Sequence, residues 1–469
     1  MQVLAAAVEW SGRGDGAGDR DIGGGAGVLR PGGEPAVARH AGKAVRGGVG
    51  EAVGEAGEGG VRPIFPAWGR FNVLDAGGVE GDDAGPIFQP VHNIRNLGAV
   101  GDGIADDSVA IQAVLDGGRK EVFIPAGVYR IAQTLKVDSF TTIVADPGAR
   151  LFHCGETPHG AEDFLLTNRD HVFGNAEIQI TGGTWDGNKT GRTNFKDPDL
   201  FNLKAFTGTV LNFRNVRDLK LSDLIVANSV VYFVRMCMLD GFEIRNIGFQ
   251  SEVIENNQDG LHFNGWVRNG VVENIRALTK GQPNDDLIAL NADDSMARLE
   301  NTGMTCGPIE NIVFRNLYAE DCHTAVRLLS YVSPIRNLRF ENVVAGCRCF
   351  AINMDGARYC RTPLFRDEDF PQGVGRIENI EFHGLKVWWS TPGERKALID
   401  GESRVENFVI RGFERDATRD QAPEVPTLWV EKTPGLPVKA LDGERVVVDT
   451  VAGGEPVVVS DAFSELRLG

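Results

Sequence analysis

Two adjacent aspartates, Asp285 and Asp286, stand in the stretch Asn284-Asp-Asp-Leu-Ile-Ala-Leu-Asn291. A third, Asp259, lies 27 residues before Asp286 in Asn257-Gln-Asp-Gly-Leu-His262. Carboxyl groups gathered in one place do acid–base chemistry: one protonates a leaving oxygen, another activates water or attacks carbon. Three of them within one strand spacing repel one another, so at least one must hold its proton above the usual carboxylate range. What would bring them together is a repeat.

From residue 216 a phrase recurs in which apolar residues alternate with charged ones and Asn or Asp. It reads Val216-Arg-Asp-Leu-Lys-Leu-Ser-Asp-Leu224, Phe242-Glu-Ile-Arg-Asn-Ile247 and Val271-Val-Glu-Asn-Ile275. It returns as Ile309-Glu-Asn-Ile-Val-Phe-Arg-Asn-Leu317, Ile335-Arg-Asn-Leu-Arg-Phe-Glu-Asn-Val343, Ile377-Glu-Asn-Ile-Glu-Phe-His-Gly-Leu385 and Val405-Glu-Asn-Phe-Val-Ile-Arg-Gly-Phe413. The closing residues are separated by 23, 28, 42, 26, 42 and 28 positions. The alternation is that of a strand, without a helical stripe, and it does not fit leucine-rich repeats. Strands at this period without helices between them predict a parallel β-helix with one coil per repeat. The two 42-residue gaps then hold one coil and a surface loop of roughly 15 residues. The recurrent Asn suits tight bends, where it tolerates left-handed backbone.

Four segments align on this period: Gln258-Asp-Gly-Leu-His262, Asp285-Asp-Leu-Ile-Ala289, His323-Thr-Ala-Val-Arg327 and Cys349-Phe-Ala-Ile-Asn353. Equivalent positions on adjacent coils lie about 4.8 Å apart. Asp259 is thus expected on Asp286, with Asp285 beside it. Gln258, Asp285 and His323 form a second column, and His262, Ala289, Arg327 and Asn353 a third. His323 is placed to tune Asp285, or is simply a polar residue of the sheet face. Arg327 would hold a substrate group or neutralise the carboxylates, and His262 would contact substrate. Asp293 and Asp294 begin a long loop and either line the cleft or form its bend. The cluster also admits other readings, a solvated acidic face or an oxygen-rich calcium site. Trp185, Trp266, Trp388 and Trp389 are candidate sugar platforms, although aromatics more often fill cores.

A solenoid needs caps. Asp106 or Asp107 is suited to N-cap a helix whose apolar face is Ala110, Ile111, Val114 and Leu115, and Glu121–Tyr129 reads as the first strand and turn. Residues 1–65, rich in Gly and Ala and without Phe or Tyr before Phe65, read as a disordered or mis-started leader. They lack the basic start of a secretory signal. Residues 66–415 are expected to form the catalytic β-helix and residues 416–469 a few further strands packed on it. The chain has 48 Lys and Arg against 65 Asp and Glu, a net charge of −17, with no basic stripe, which disfavours nucleic acid and anionic membrane as partners. Its seven cysteines contain no Cys-x-x-Cys pair, which excludes a zinc ribbon, and their odd number argues against a disulfide scaffold.

Gly98-Ala-Val-Gly-Asp-Gly-Ile-Ala-Asp-Asp-Ser-Val-Ala-Ile-Gln112, with Ile124-Pro-Ala-Gly-Val-Tyr129, resembles the N-terminal signature of pectate-lyase-superfamily β-helix proteins. Gly182-Gly-Thr-Trp-Asp-Gly-Asn188, Asn257-Gln-Asp-Gly, Asn284-Asp-Asp-Leu-Ile-Ala-Leu-Asn291 and Ala325-Val-Arg-Leu-Leu329 resemble motifs of glycoside hydrolase family 28, the polygalacturonase family. The resemblance spans roughly residues 93–415. It implies a right-handed, all-β pectin-lyase-like solenoid that hydrolyses a poly- or oligosaccharide with inversion and without a cofactor, in a secreted or periplasmic setting. It assigns Asp285 as general acid and Asp259 and Asp286 to the attacking water. A lyase or uronate epimerase with Arg327 or His323 as base, and a non-enzymatic carbohydrate-binding solenoid, are the alternatives on this fold. Two motifs depart from the family: the Gly-His-Gly coil is replaced by Ala292–Gly307, which has no histidine, and Leu329 stands where the family has the lysine of Arg-Ile-Lys.

The missing lysine and the net charge of −17 yield an expectation about substrate. A neutral or sparsely charged glycan is to be hydrolysed faster than polygalacturonate, as measured by release of reducing ends across a glycan panel. Preference for polygalacturonate over every neutral glycan would contradict it.

Overall fold

The alternating phrases form strands whose apolar positions turn inward and whose charged positions turn out. In Ile309–Leu329 the residues Ile309, Ile312, Phe314 and Leu317 are buried, and the same positions are buried in Ile335–Met354 and Ile377–Trp389. Each phrase pairs in parallel with the next: Ile275 lies on Leu317, Leu317 on Val343, and Val343 on Leu385. Both 42-residue gaps are therefore single coils, as the spacing predicts. Burial of these aliphatic and aromatic side chains contributes roughly 1.5–3 kcal/mol each. Phe314, Phe340 and Phe382 stack with ring centroids 4.5 and 4.4 Å apart and nearly parallel planes, so the aromatic core repeats at the coil spacing.

The protein is a right-handed parallel β-helix. This computed structural model describes residues 91–154, 164–189, 208–254, 257–293, 305–354, 375–392, 397–430, 445–448, 457–459 and 465–468. The expected leader, Asp294 and Cys360 lie outside these residues. All described residues fall in one compact unit, Ala84–Gly469.

Asparagine makes the corners. Asn246, Asn274, Asn316 and Asn342 all have φ between 56 and 59°, and Asn269, Asn311, Asn337, Asn379 and Asn407 between 54 and 60°. Each side chain bonds its equivalent on the neighbouring coil: Asn274 donates to Asn246 at 2.8 Å, Asn316 to Asn274 at 2.9 Å and Asn342 to Asn316 at 2.9 Å. The left-handed bend and the amide ladder need the same residue.

At the N-terminal end the helix Ser108–Leu115 buries Ile111, Val114 and Leu115. Asp106 does the capping, its carboxylate accepting from the Ser108 N–H at 3.0 Å and Oγ at 2.5 Å. Asp107 sits at the cap position but instead accepts from the backbone N–H groups of Val100 (2.6 Å) and Gly101 (3.1 Å). Asp102 accepts from Ile104 and Ala105, so this acidic cluster is spent on backbone. Glu121–Tyr129 is not the first strand, because Val91–Asn93 and Asp102–Asp106 precede it and pair with Lys120–Ile124 and Gly127–Ile131. A strand of three residues and one full of Asp and Gly carry too little alternation to be read. At the other end Val457–Val459 and Glu465–Leu468 pair antiparallel with Leu428–Val430 and Val405–Arg415, breaking the parallel run.

One ladder positions the aspartates. Phe164–Asn168, the start of Thr209–Ser222, the start of Val234–Gln250, Leu261–Phe263, Asp286–Asn291 and the end of Ile309–Leu329 pair in that order. The end of Ile335–Met354, then Ile399–Gly401 and Leu428–Val430, continue it.

Asn316→Ala is expected to cost about 1–3 kcal/mol through loss of both ladder bonds and a β-carbon left unsupported in left-handed backbone. Asn316→Gly keeps the bend at less cost and should be the milder change in chemical denaturation. An alanine variant more stable than the glycine variant would contradict this.

Candidate active site

The third column forms as the spacing predicts. His262 pairs with Ala289, Ala289 with Arg327 and Arg327 with Asn353. It also runs beyond the four aligned segments, downward through Arg235, Asn212 and Thr167 and upward to Asp400. These residues bond along the ladder: Arg235 Nε donates to Asn212 Oδ1 at 3.0 Å, and Asn212 Nδ2 to Thr167 Oγ1 at 3.0 Å. Arg235 was legible in principle, since it lies 27 residues before His262, but its segment, Val231-Tyr-Phe-Val-Arg235, has no carboxylate or imidazole to mark it.

The carboxylates sit where this column opens. The Gly260 N–H donates to the Asp286 carbonyl at 2.9 Å, which sets Asp259 against Asp286 on the next coil. Both are buried, 2% and 1% exposed, which overturns the solvated-face alternative. The Asp285 side chain is 19% exposed, making it the carboxyl of the three that meets solvent. Asp259 Oδ2 is 2.5 Å from His262 Nδ1, and the imidazole stacks on Tyr232 with centroids 4.1 Å apart. Asp286 Oδ2 is 3.6 Å from Arg327 Nη1, so Arg327 serves the carboxylates, the second of its two expected roles. Asp259 Oδ1 and Asp286 Oδ2 have no hydrogen-bond partner among the described residues.

His323 stands beside Asp285 one coil on, Nδ1 3.4 Å from Oδ1, as the 38-residue offset predicts. Burial, with the charge of Asp285 second, raises Asp259 and drives Asp286 well above the carboxylate range; His262 counteracts this at Asp259 and Arg327 at Asp286. Burial opposes the charge on His323, but hydrogen bonds to Asp285 and Cys349 outweigh it, and its pKa rises well above 6.5. Donor atoms of Asp285, Asp286 and His323 lie within 4.8 Å of one another, a set with the reach to share a cation. One imidazole and two carboxylates suit a transition ion better than the oxygen cage of calcium.

Other expectations are corrected. Asp293 does not line the cleft: it is fully buried, and its Oδ2 accepts from the N–H groups of Tyr331, Val332 and Ser333 at 2.7–2.8 Å, so it forms the bend. Gln258 turns into the wall, its Nε2 donating to the Ser229 carbonyl at 2.7 Å. Trp185, Trp388 and Trp389 are buried and Trp266 is half-buried. Leu329 is fully buried, two residues past Arg327 on the same strand and outside the hydrophobic core that holds Leu328.

Residues 91–348 match the family described as rhamnogalacturonase A/epimerase, pectate lyase-like. The chain belongs to that family. The chain is 26% identical over 309 residues to a probable polygalacturonase of Arabidopsis thaliana, covering 63% of this chain and 58% of that protein. It is 44% identical over 110 residues to mannuronan C5-epimerase AlgE5 of Azotobacter vinelandii, covering 21% of this chain and 8% of the epimerase. The chain thus spans less than two thirds of these relatives. Similar solved structures are the family 28 exopolygalacturonase of Yersinia enterocolitica (TM-score 0.44, 16% identity, covering 74% of this chain and 76% of that one) and the Streptococcus pneumoniae adhesin PfbA (0.47, 13%, 80% and 99%).

The raised Asp286 carries a sign that stability measurements test. A carboxyl whose pKa rises on folding binds its proton more tightly in the native state. Its stabilising contribution is full below the ordinary value of 3.8 and declines as pH rises toward the raised value. Asp286→Asn removes that decline, so its melting temperature should gain on the wild type between pH 4 and pH 7. A difference that is flat or shrinks with pH would contradict the assignment.

Proposed function

We propose that this protein is a carbohydrate-active enzyme that hydrolyses a glycosidic bond of a poly- or oligosaccharide through Asp285, Asp259 and Asp286. The observation that carries the reading is the pair of buried carboxylate oxygens without a hydrogen bond among the described residues, Asp259 Oδ1 and Asp286 Oδ2 (the latter 3.6 Å from Arg327 Nη1), on adjacent coils beside the more exposed Asp285. Unsatisfied buried acceptors are costly, and their retention side by side suits a site that holds a water molecule for attack. Asp285, within reach of a polymer, gives its proton to the leaving oxygen. Asp259, oriented by His262, accepts a proton from the attacking water, and Asp286 helps to position that water. Proton given and proton received balance, and separate acid and base match the inversion implied by the family resemblance.

A second reading has its own support in the contact of His262 with Asp259 and the stacking of Tyr232 on His262. A histidine and a tyrosine together fit proton removal and return at the carbon beside a uronate carboxyl, the chemistry of an epimerase or lyase. Products separate the readings. Hydrolysis leaves saturated reducing ends, a lyase an unsaturated uronate, an epimerase uncleaved polymer that has taken deuterium from solvent, and a binding solenoid no product.

Asp285→Asn is expected to lower turnover at least 100-fold with the melting temperature little changed, since general acid catalysis contributes roughly 10²–10⁴-fold. Its hydrogen bond to Asp285 raises the His323 pKa, and a charged imidazole opposes loading of a proton on its Asp285 partner, so activity should peak at acidic pH. His323→Ala should move that peak upward. Full activity in Asp285→Asn, or an unchanged pH–rate profile in His323→Ala, would contradict these roles.

A further inference from the structure

Asp285 lies in a bend, one residue before the strand Asp286–Asn291 begins. Two backbone bonds tie this bend to the next coil. The His323 N–H donates to the Pro283 carbonyl at 3.2 Å, and the Thr324 N–H to the Asp285 carbonyl at 3.3 Å. Both are at the long end of the range. Misplacing a reacting group by about 1 Å costs on the order of 10²-fold in rate, so a proton donor on such a bend needs support from side chains.

That support comes from two coils on. Where Ile309–Leu329 pairs with Ile335–Met354, Ala319 lies on Ala345, Cys322 on Cys347 and Thr324 on Phe350. The register slips by one residue and then returns. Glu320 and Asp321 oppose Gly346, and Arg348 and Cys349 oppose His323. Gly346 permits the slip, because a β-carbon there would collide with the Glu320 carbonyl oxygen. Bulges re-aim side chains. Cys322 and Cys347 stay in the core, while their chain neighbours Asp321 and Arg348 meet on the outer side of the strands. Arg348 Nη1 donates to the Asp321 carbonyl at 2.7 Å and lies 3.1 Å from its Oδ1. Arg348 Nη2 donates to Asn284 Oδ1 at 2.5 Å and lies 3.5 Å from the Gly281 carbonyl. Ser390, one coil further, donates from Oγ to the same Asp321 Oδ1 at 2.6 Å. One guanidinium therefore reaches past the intervening coil and joins both ends of the segment 281–284 to a braced carboxylate.

We propose that Arg348 is the positioning residue for Asp285: by holding Asn284 it fixes the bend from which Asp285 meets the leaving oxygen. The inference rests on the reading of Asp285 as proton donor. A guanidinium suits the task. It is planar and rigid, so its two Nη groups take Asp321 and Asn284 at once, whereas a lysine ammonium is a point charge on a flexible stem. The side chains of Arg348 and Asp321 are mostly buried, which strengthens bonds that water would otherwise compete for. The charge of Arg348 faces Asp321, so what reaches Asp285 is geometry.

Two variants cut the clamp from opposite ends. Arg348→Lys keeps the charge and loses the fork, and Asn284→Ala removes the acceptor. Each should lower kcat at least about tenfold with KM changed less than about threefold, on whichever glycan the wild type cleaves. The double variant should be no slower than the slower single variant, because both changes break one contact. Hydrogen–deuterium exchange of the full chain, read by peptide, follows the clamp without reference to activity. Amides of residues 281–286 should exchange at least about tenfold faster in both variants, with residues 335–343 unchanged. A kcat preserved in Arg348→Lys, or losses that multiply in the double variant, would overturn the proposal. So would unchanged exchange of 281–286 in both variants, whatever the wild type does to any glycan. Faster exchange in a protein whose wild type hydrolyses no glycan would uphold the clamp and overturn the reading of Asp285 as proton donor.

Discussion

Everything in this molecule follows from the distance between one coil and the next. A parallel β-helix sets each residue about 4.8 Å from its equivalent on the neighbouring coil, whatever that residue is. For Phe314, Phe340 and Phe382 the result is a continuous aromatic stack, and for the corner asparagines a chain of amide bonds. For Asp259 and Asp286 the same spacing forces two carboxyl groups together out of water, with Asp285 adjoining them. The first two arrangements stabilise the solenoid, and the third costs it stability. A scaffold rigid enough to hold the aspartates against their repulsion is what the ladders supply, and retention of a destabilising cluster is the mark of a site kept for chemistry.

The positive charge near the cluster is directed inward. Arg235 and Arg327 are 2% and 5% exposed, and their side chains meet Asn212 and Asp286. They steady the protein's own polar column and have little reach toward a polymer. Leu329 is buried and uncharged where the resembled family has a lysine. Electrostatically the site is built to manage protons among its own groups, with His262 serving Asp259 and His323 serving Asp285.

Much of this was legible because a solenoid turns sequence offset into spatial contact. The stacking of the phrases from Val216 to Phe413, the corner asparagines, the His262–Ala289–Arg327–Asn353 column and the meeting of His323 with Asp285 all follow from strand alternation and a period. What was not legible depends on departures from that period or on contacts from elsewhere. The bulge at Arg348–Cys349 adds one residue that alternation counts cannot place. The role of Asp293 is set by three backbone N–H groups of a turn on the next coil, and Asp106 rather than Asp107 caps the helix because the backbone N–H groups of Val100 and Gly101, ahead of the strand, claim the other carboxylate. Arg235 and Tyr232 fall before the first well-marked aspartate motif, so the column looked shorter than it is.

Held together out of water at the coil spacing, the aspartates cannot all ionise in the ordinary carboxylate range. A carbon-13 NMR titration of the aspartate carboxyl carbons in the folded protein tests it most directly. The account predicts a carboxyl that is still protonated near neutral pH and whose signal disappears in Asp286→Asn. A titration in which every aspartate, Asp286 included, is fully ionised well below neutral pH would contradict it.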